Sequence, residues 1–60
     1  MYYNKETGER LFVPEAVFKG DCYICGGPND PYRSCGITAE DAEMQYETNL
    51  LEDRNILVVD

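Results

Sequence analysis

All three cysteines of the chain, Cys22, Cys25 and Cys35, fall in one stretch, Gly20 to Gly36, that also carries four of its five glycines and two of its three prolines. Such a stretch has little propensity for helix or strand, because glycine loses the most backbone entropy on ordering and proline lacks an amide donor. The expectation is a loop without regular backbone pairing, ordered by something other than its own hydrogen bonds. The rest of the chain, which has 60 residues in all, offers little surplus stability. A protein this short hides only roughly 60% of the surface that its unfolded form exposes. One domain spanning residues 1–60 is therefore expected, and domains of this size commonly need a metal, disulfides or a partner subunit as a further constraint.

Cys22-Tyr23-Ile24-Cys25-Gly26 has two thiols spaced to hold one tetrahedral zinc, followed by a glycine that permits a tight turn. Tyr32-Arg33-Ser34-Cys35-Gly36 repeats the outline with Tyr32 where a first cysteine would stand. In these residues the chain resembles the zinc-knuckle and zinc-ribbon families, in which two Cys-x-x-Cys-Gly turns clasp one structural zinc. The resemblance covers about a quarter of the chain. It implies a metal-stapled domain with Cys22, Cys25 and Cys35 as zinc ligands and Gly26 and Gly36 as the turn glycines.

A structural zinc site is closed by four ligands, and the chain has no histidine. Asp30 is the preferred fourth ligand, ahead of Asp21, which would have to fold back sharply beside Cys22. The Tyr32 phenolate, a water or a second subunit are the remaining choices, the last of which implies a homo-oligomer. Free thiols and a disulfide are the alternatives to zinc. A dithiol redox switch is disfavoured, because Gly26-Gly27-Pro28 supplies no helix N-terminus to lower a thiol pKa. Rubredoxin-like iron binding would need a fourth cysteine.

Outside this segment, Tyr2-Tyr3 and Arg10-Leu11-Phe12-Val13 flank a polar, glycine-containing loop and predict a β-hairpin. Val13 to Gly20 suits either a short helix begun by Pro14 or a strand through Val17-Phe18, with the strand preferred. Thr38 can cap a helix over residues 38–52 whose first turns hold Glu40, Asp41 and Glu43 at the positive end of the dipole. Ala39, Ala42, Tyr46 and Leu50 recur along one face, with Leu51 beside them, while Glu40, Glu43 and Glu47 point elsewhere. Ile56-Leu57-Val58-Val59, within 55–59, predicts a final strand added to the hairpin sheet. The fold class expected is α+β: hairpin region 1–20, cysteine loop 21–37, helix and C-terminal strand. Phe12 and Phe18 are the aromatic residues expected in the core, and Tyr23 is expected to face outward.

The net charge of −7 is unevenly placed: residues 1–36 carry five acids and four bases, and residues 37–60 seven acids and one base. The C-terminal half should therefore repel nucleic acid and anionic membrane and attract basic protein surfaces. Without histidine the commonest general base and the Ser-His and Cys-His pairs are missing. Gly26-Gly27 runs into proline rather than a phosphate-binding lysine. No apolar run reaches the ~20 residues of a membrane span and no signal-peptide pattern opens the sequence, so a reducing cytoplasm is the expected setting.

These observations predict a non-catalytic zinc-binding module that binds another protein, as a regulator or inhibitor whose Glu40, Glu43 and Glu47 face meets a basic groove in imitation of nucleic acid. Tyr23 and Tyr32 are further candidate contacts. The alternative is a nucleic-acid-binding knuckle in which Tyr23 and Tyr32 stack bases beside Arg33 and Lys19.

Overall fold

The computed structural model describes residues 1–59 and has an α+β fold made of two small antiparallel sheets and one helix. The elements run β1 (Tyr2–Asn4), β2 (Arg10–Leu11), β3 (Val17–Phe18), β4 (Tyr23–Cys25), β5 (Ser34–Gly36), α1 (Ala39–Glu52) and β6 (Ile56–Val58). One sheet has the order β2-β1-β6 and the other β3-β4-β5. The expected hairpin, helix and final strand are all present. The preferred strand at Val17-Phe18 is present too, and β6 joins the hairpin sheet.

Asn4 shapes the loop of the first hairpin. Its Oδ1 accepts from the amides of Glu6 at 2.8 Å and Thr7 at 3.3 Å, as an asparagine that starts a turn does. β1 then pairs with β2 (Tyr2 opposite Leu11) on one side and with β6 (Tyr2 opposite Val58, Tyr3 opposite Leu57) on the other. The Met1 ammonium donates to the Val59 carbonyl at 2.7 Å, and the Val59 amide returns a bond to the Met1 carbonyl at 2.9 Å. This ladder fixes the alternation along β6. Leu57 and Val59 turn their backbone polar groups toward β1, Val58 turns its groups toward the open edge, and the Ile56 amide donates to the Asp53 carbonyl at 3.2 Å.

The cysteine segment departs from the expected loop. β4 and β5 lie inside it, with Tyr23 opposite Gly36, Ile24 opposite Cys35 and Cys25 opposite Ser34, and β4 also pairs with β3. Backbone hydrogen bonds therefore do organise much of residues 20–36. The reason is tertiary: α1 lies over β4 and β5, and a short strand under a helix gains enough burial to outweigh weak intrinsic propensity.

Thr38 caps α1 as expected, its Oγ1 accepting from the Asp41 amide at 3.1 Å. Ala42, Tyr46 and Leu50 are its buried residues. Ala16, Cys25, Ala42 and Tyr46 form one apolar cluster, with Val13, Tyr23, Tyr32 and Ala39 packed around it. Helix and sheet approach closely at Gly36, where an added Cβ would come within 2.6 Å of the Ala42 amide nitrogen. Ser34, buried beside it, donates from Oγ to the Ala42 carbonyl at 2.6 Å.

Phe12 and Phe18 are not in the core; they are 64% and 57% exposed. Phe12 lies just past β2 under the Arg10 guanidinium, 4.7 Å from its ring centroid. Phe18 sits on the edge strand β3 against the Tyr23 ring at 5.2 Å. Tyr23, expected to face outward, is half-buried against the core cluster instead. Leu51, placed beside the apolar face, is also exposed. The single 14-residue helix packs on β4 and β5, which leaves Phe18 on the edge strand β3 and Phe12 beyond β2 outside its cover, while Ile56 is the buried residue of the other sheet.

Candidate functional site

The strand register separates the cysteines. Cys25 and Ser34 are cross-strand partners and both are buried under α1, whereas Cys35, one residue further along β5, is exposed opposite Ile24. Successive residues of a strand face opposite sides of the sheet, so Cys25 and Cys35 point apart. Cys22 is half-buried at the turn between β3 and β4, where its carbonyl accepts from the Lys19 amide at 2.9 Å. The Cys25 thiol donates to the Pro14 carbonyl at 3.1 Å. Burial, with the Glu43 and Asp30 carboxylates nearby, pushes its pKa up. Among the described residues no group of three or more Cys, Asp and Glu side chains is arranged to hold a metal ion. In this arrangement Cys25 and Cys35 lie on opposite faces of the sheet, and Cys22, Cys25, Cys35 and Asp30 are not gathered into one group.

Asp30 has other bonds to make. Its Oδ1 accepts from the Tyr32 amide at 2.9 Å and its Oδ2 from the Tyr46 hydroxyl at 2.6 Å. Its backbone closes two turns, donating to Gly27 and accepting from Arg33. Tyr32 reaches on to α1's end, donating its hydroxyl to Asp53, while its carbonyl accepts from the Asn49 side chain at 3.3 Å. The β4–β5 loop is thus fastened to α1 by two tyrosine–aspartate pairs. Gly26 lies beneath this knot at φ +99°, with Tyr46 Cε2 only 2.9 Å from where a Cβ would be.

The titration behaviour follows from these bonds. Donation to Asp53, then burial, pushes the Tyr32 phenol up to about 12. Tyr46 is raised further by burial and by its bond to Asp30. Asp53 is held below the ordinary carboxylate value by the Tyr32 hydroxyl and the Asn55 amide. The sequence signal for this knot was Asp30-Pro31-Tyr32, an aspartate followed by proline that favours a side-chain-capped turn. Nothing in the sequence pointed to Tyr46 as its second partner.

The three glutamates of α1 differ. Glu40 and Glu47 are exposed, but Glu43 is half-buried and its Oε2 accepts from the Ala16 amide at 3.0 Å, tying the segment before β3 to the helix. Between that segment and α1 runs an open groove of about 510 Å³ lined by Val13, Ala39, Glu40, Glu43, Met44 and Glu47. Val13, Ala39 and the exposed Met44 supply an apolar floor, and the carboxylates supply its rim. Sequence reasoning found the acidic side of the helix but missed Val13 and Met44, which give it a shape.

The nucleic-acid residues are dispersed. The Tyr23 ring is engaged by Phe18 and the core, Tyr32 by Asp53 and by the edge of Tyr46 at 6.0 Å. Lys19 and Arg33 line a second groove with Val17 and Ile24 on the sheet face away from α1. No described helix is long and apolar enough to cross a membrane. In comparison with known proteins, no family model, no curated protein and no solved structure matches the chain.

Proposed function

We propose that the chain is a non-catalytic protein-binding module that receives a basic protein surface in the groove between Val13 and α1. The observation that carries this reading is the pairing of an apolar floor, Val13, Ala39 and Met44, with the exposed carboxylates of Glu40 and Glu47. A lysine or arginine places an aliphatic stem on apolar surface and its charge at the rim, so the groove has the chemistry for such side chains. The same carboxylates stand where a basic partner would otherwise meet phosphates, which makes the module suited to regulate or inhibit a nucleic-acid-binding protein. Three unpaired cysteines suit a compartment that keeps thiols reduced, such as the cytoplasm.

Titration with a short peptide of alternating arginine and leucine, followed by NMR, tests the assignment. Shifts should concentrate at Val13, Ala39 and the Met44 methyl, and binding should weaken with salt. Glu40→Lys combined with Glu47→Lys should weaken binding by on the order of tenfold or more. Equal affinity for the charge-reversed chain would eliminate the groove.

A further inference from the structure

β6 leaves an open edge that carries no charge, proline or bulge within Ile56–Val58 and is blunted only by its three-residue length. Exposed edge strands are normally blunted by charge, proline or a bulge, because their unpaired amides and carbonyls template pairing with another chain. Ile56, Leu57 and Val58 carry no charge, and Val59 continues the apolar run. Leu57, Val58 and Val59 are 46%, 53% and 40% exposed. They lie on both faces of the strand by the alternation of its side chains, Ile56 alone being buried. The Val58 amide and carbonyl point outward from the β1 ladder, as the Met1–Val59 bonds require.

We propose that a second copy of this chain pairs with this edge, β6 against β6 and antiparallel, to make one six-stranded sheet. An occupant must be a strand with uncharged apolar side chains on both faces, and β6 is itself such a strand. A two-fold axis through Val58 lets each copy give its Val58 amide to the carbonyl of Val58 of the partner subunit, so the contact is self-complementary and closes on itself. Charge placement favours the same choice. The strands of this sheet contain one charged residue, Arg10, whereas the net charge of −6 in residues 37–60 falls largely on α1. Two acidic copies therefore meet with least repulsion along β6. Leu57 of one copy then lies across from Val59 of the partner subunit, continuing the face that Met1, Tyr3, Phe12 and Leu57 share with Arg10, whose guanidinium lies over Phe12.

Sedimentation equilibrium on the full chain and two variants tests this. Val58→Pro removes only the outward amide, since a proline is tolerated on an edge strand where its nitrogen faces solvent, and Val58→Lys adds the charge that edges normally carry. The wild type should fit the mass of two chains. Both variants should shift to one chain, with the dissociation constant raised on the order of tenfold or more and far-UV circular dichroism unchanged. Should Val58→Pro unfold, Val58→Lys alone decides. Glu40→Lys with Glu47→Lys should leave the mass unaltered, which separates this contact from the groove. A wild type that stays single up to millimolar concentration overturns the proposal. So do variants that remain paired, growth into open-ended assemblies, or a single chain whose edge accepts only an unrelated apolar strand peptide.

Discussion

β3, β4 and β5 follow one another within residues 17–36 and carry α1 across one face, whereas β2, β1 and β6 join the two ends of the chain and have no helix of their own. The first region holds Cys25, Ser34, Ala42 and Tyr46 below 10% exposure, though its edge strand β3 leaves Val17 and Phe18 open; the second buries Ile56 but leaves Phe12, Leu57 and Val58 at 46% or more. With one helix among the described residues, cover is limited, and hydrophobicity alone does not decide which residues receive it. Tyr46 enters the core and Phe12 does not because of where α1 lies.

The sharpest way to break this contrast is to push helix and sheet apart. Gly36→Ala places a methyl 2.6 Å from the Ala42 nitrogen and 2.8 Å from Asp41 Cβ. A denaturant melt should show a loss of about 3 kcal/mol, the upper range for overpacking. Tyr46→Phe removes the donor to Asp30 and should cost about 2 kcal/mol, as bonds to charged groups do. Hydrogen exchange should then rise first at Tyr32 and Arg33, in the loop that Asp30 holds.

Acid and base should probe the same knot. The lowered Asp53 pKa means that its share of stability is whole above the ordinary value of 3.8 and is lost as pH falls below it. Raised phenol values act in the opposite sense. The contribution of Tyr32 and Tyr46 is whole below 10.0 and fades as pH climbs from there, through about 12 for Tyr32. Chemical melts across pH should show both slopes, and Tyr46→Phe should flatten the alkaline one. In the uncovered sheet, Phe12→Ser should move stability by no more than about 0.5 kcal/mol. The smallest effect is expected from zinc. Native mass spectrometry after zinc addition should show the unliganded mass, and a bound ion would mean that β4 and β5 can separate to bring Cys25 and Cys35 together.

Local chemistry made the helix legible: Thr38 before an acidic first turn, and Ala42, Tyr46 and Leu50 at helical spacing, are short-range signals. Tyr2-Tyr3, Arg10-Leu11 and Ile56 to Val58 were legible as strands from aromatic and branched side chains. The strands inside the cysteine segment were not legible, because its glycines and prolines carry little strand propensity and the pairing of β4 with β5 rests on what packs over them. Asp30 was singled out, but for a ligand's role rather than as acceptor from Tyr32 and Tyr46, a partnership between residues 16 apart. Glu43 looked equivalent to Glu40 and Glu47, and only the approach of Ala16, 27 residues away, distinguishes it.

The pairing of Tyr2 with Val58 sets an order on assembly. Closing a loop that spans almost the whole chain is entropically slower than joining β3, β4 and β5. During synthesis the N-terminal hairpin must wait, one side unsatisfied, until the final strand emerges. Clipping the chain before Ile56 should consequently leave a folded helix-covered half joined to a frayed hairpin, a half-finished molecule rather than an unfolded one.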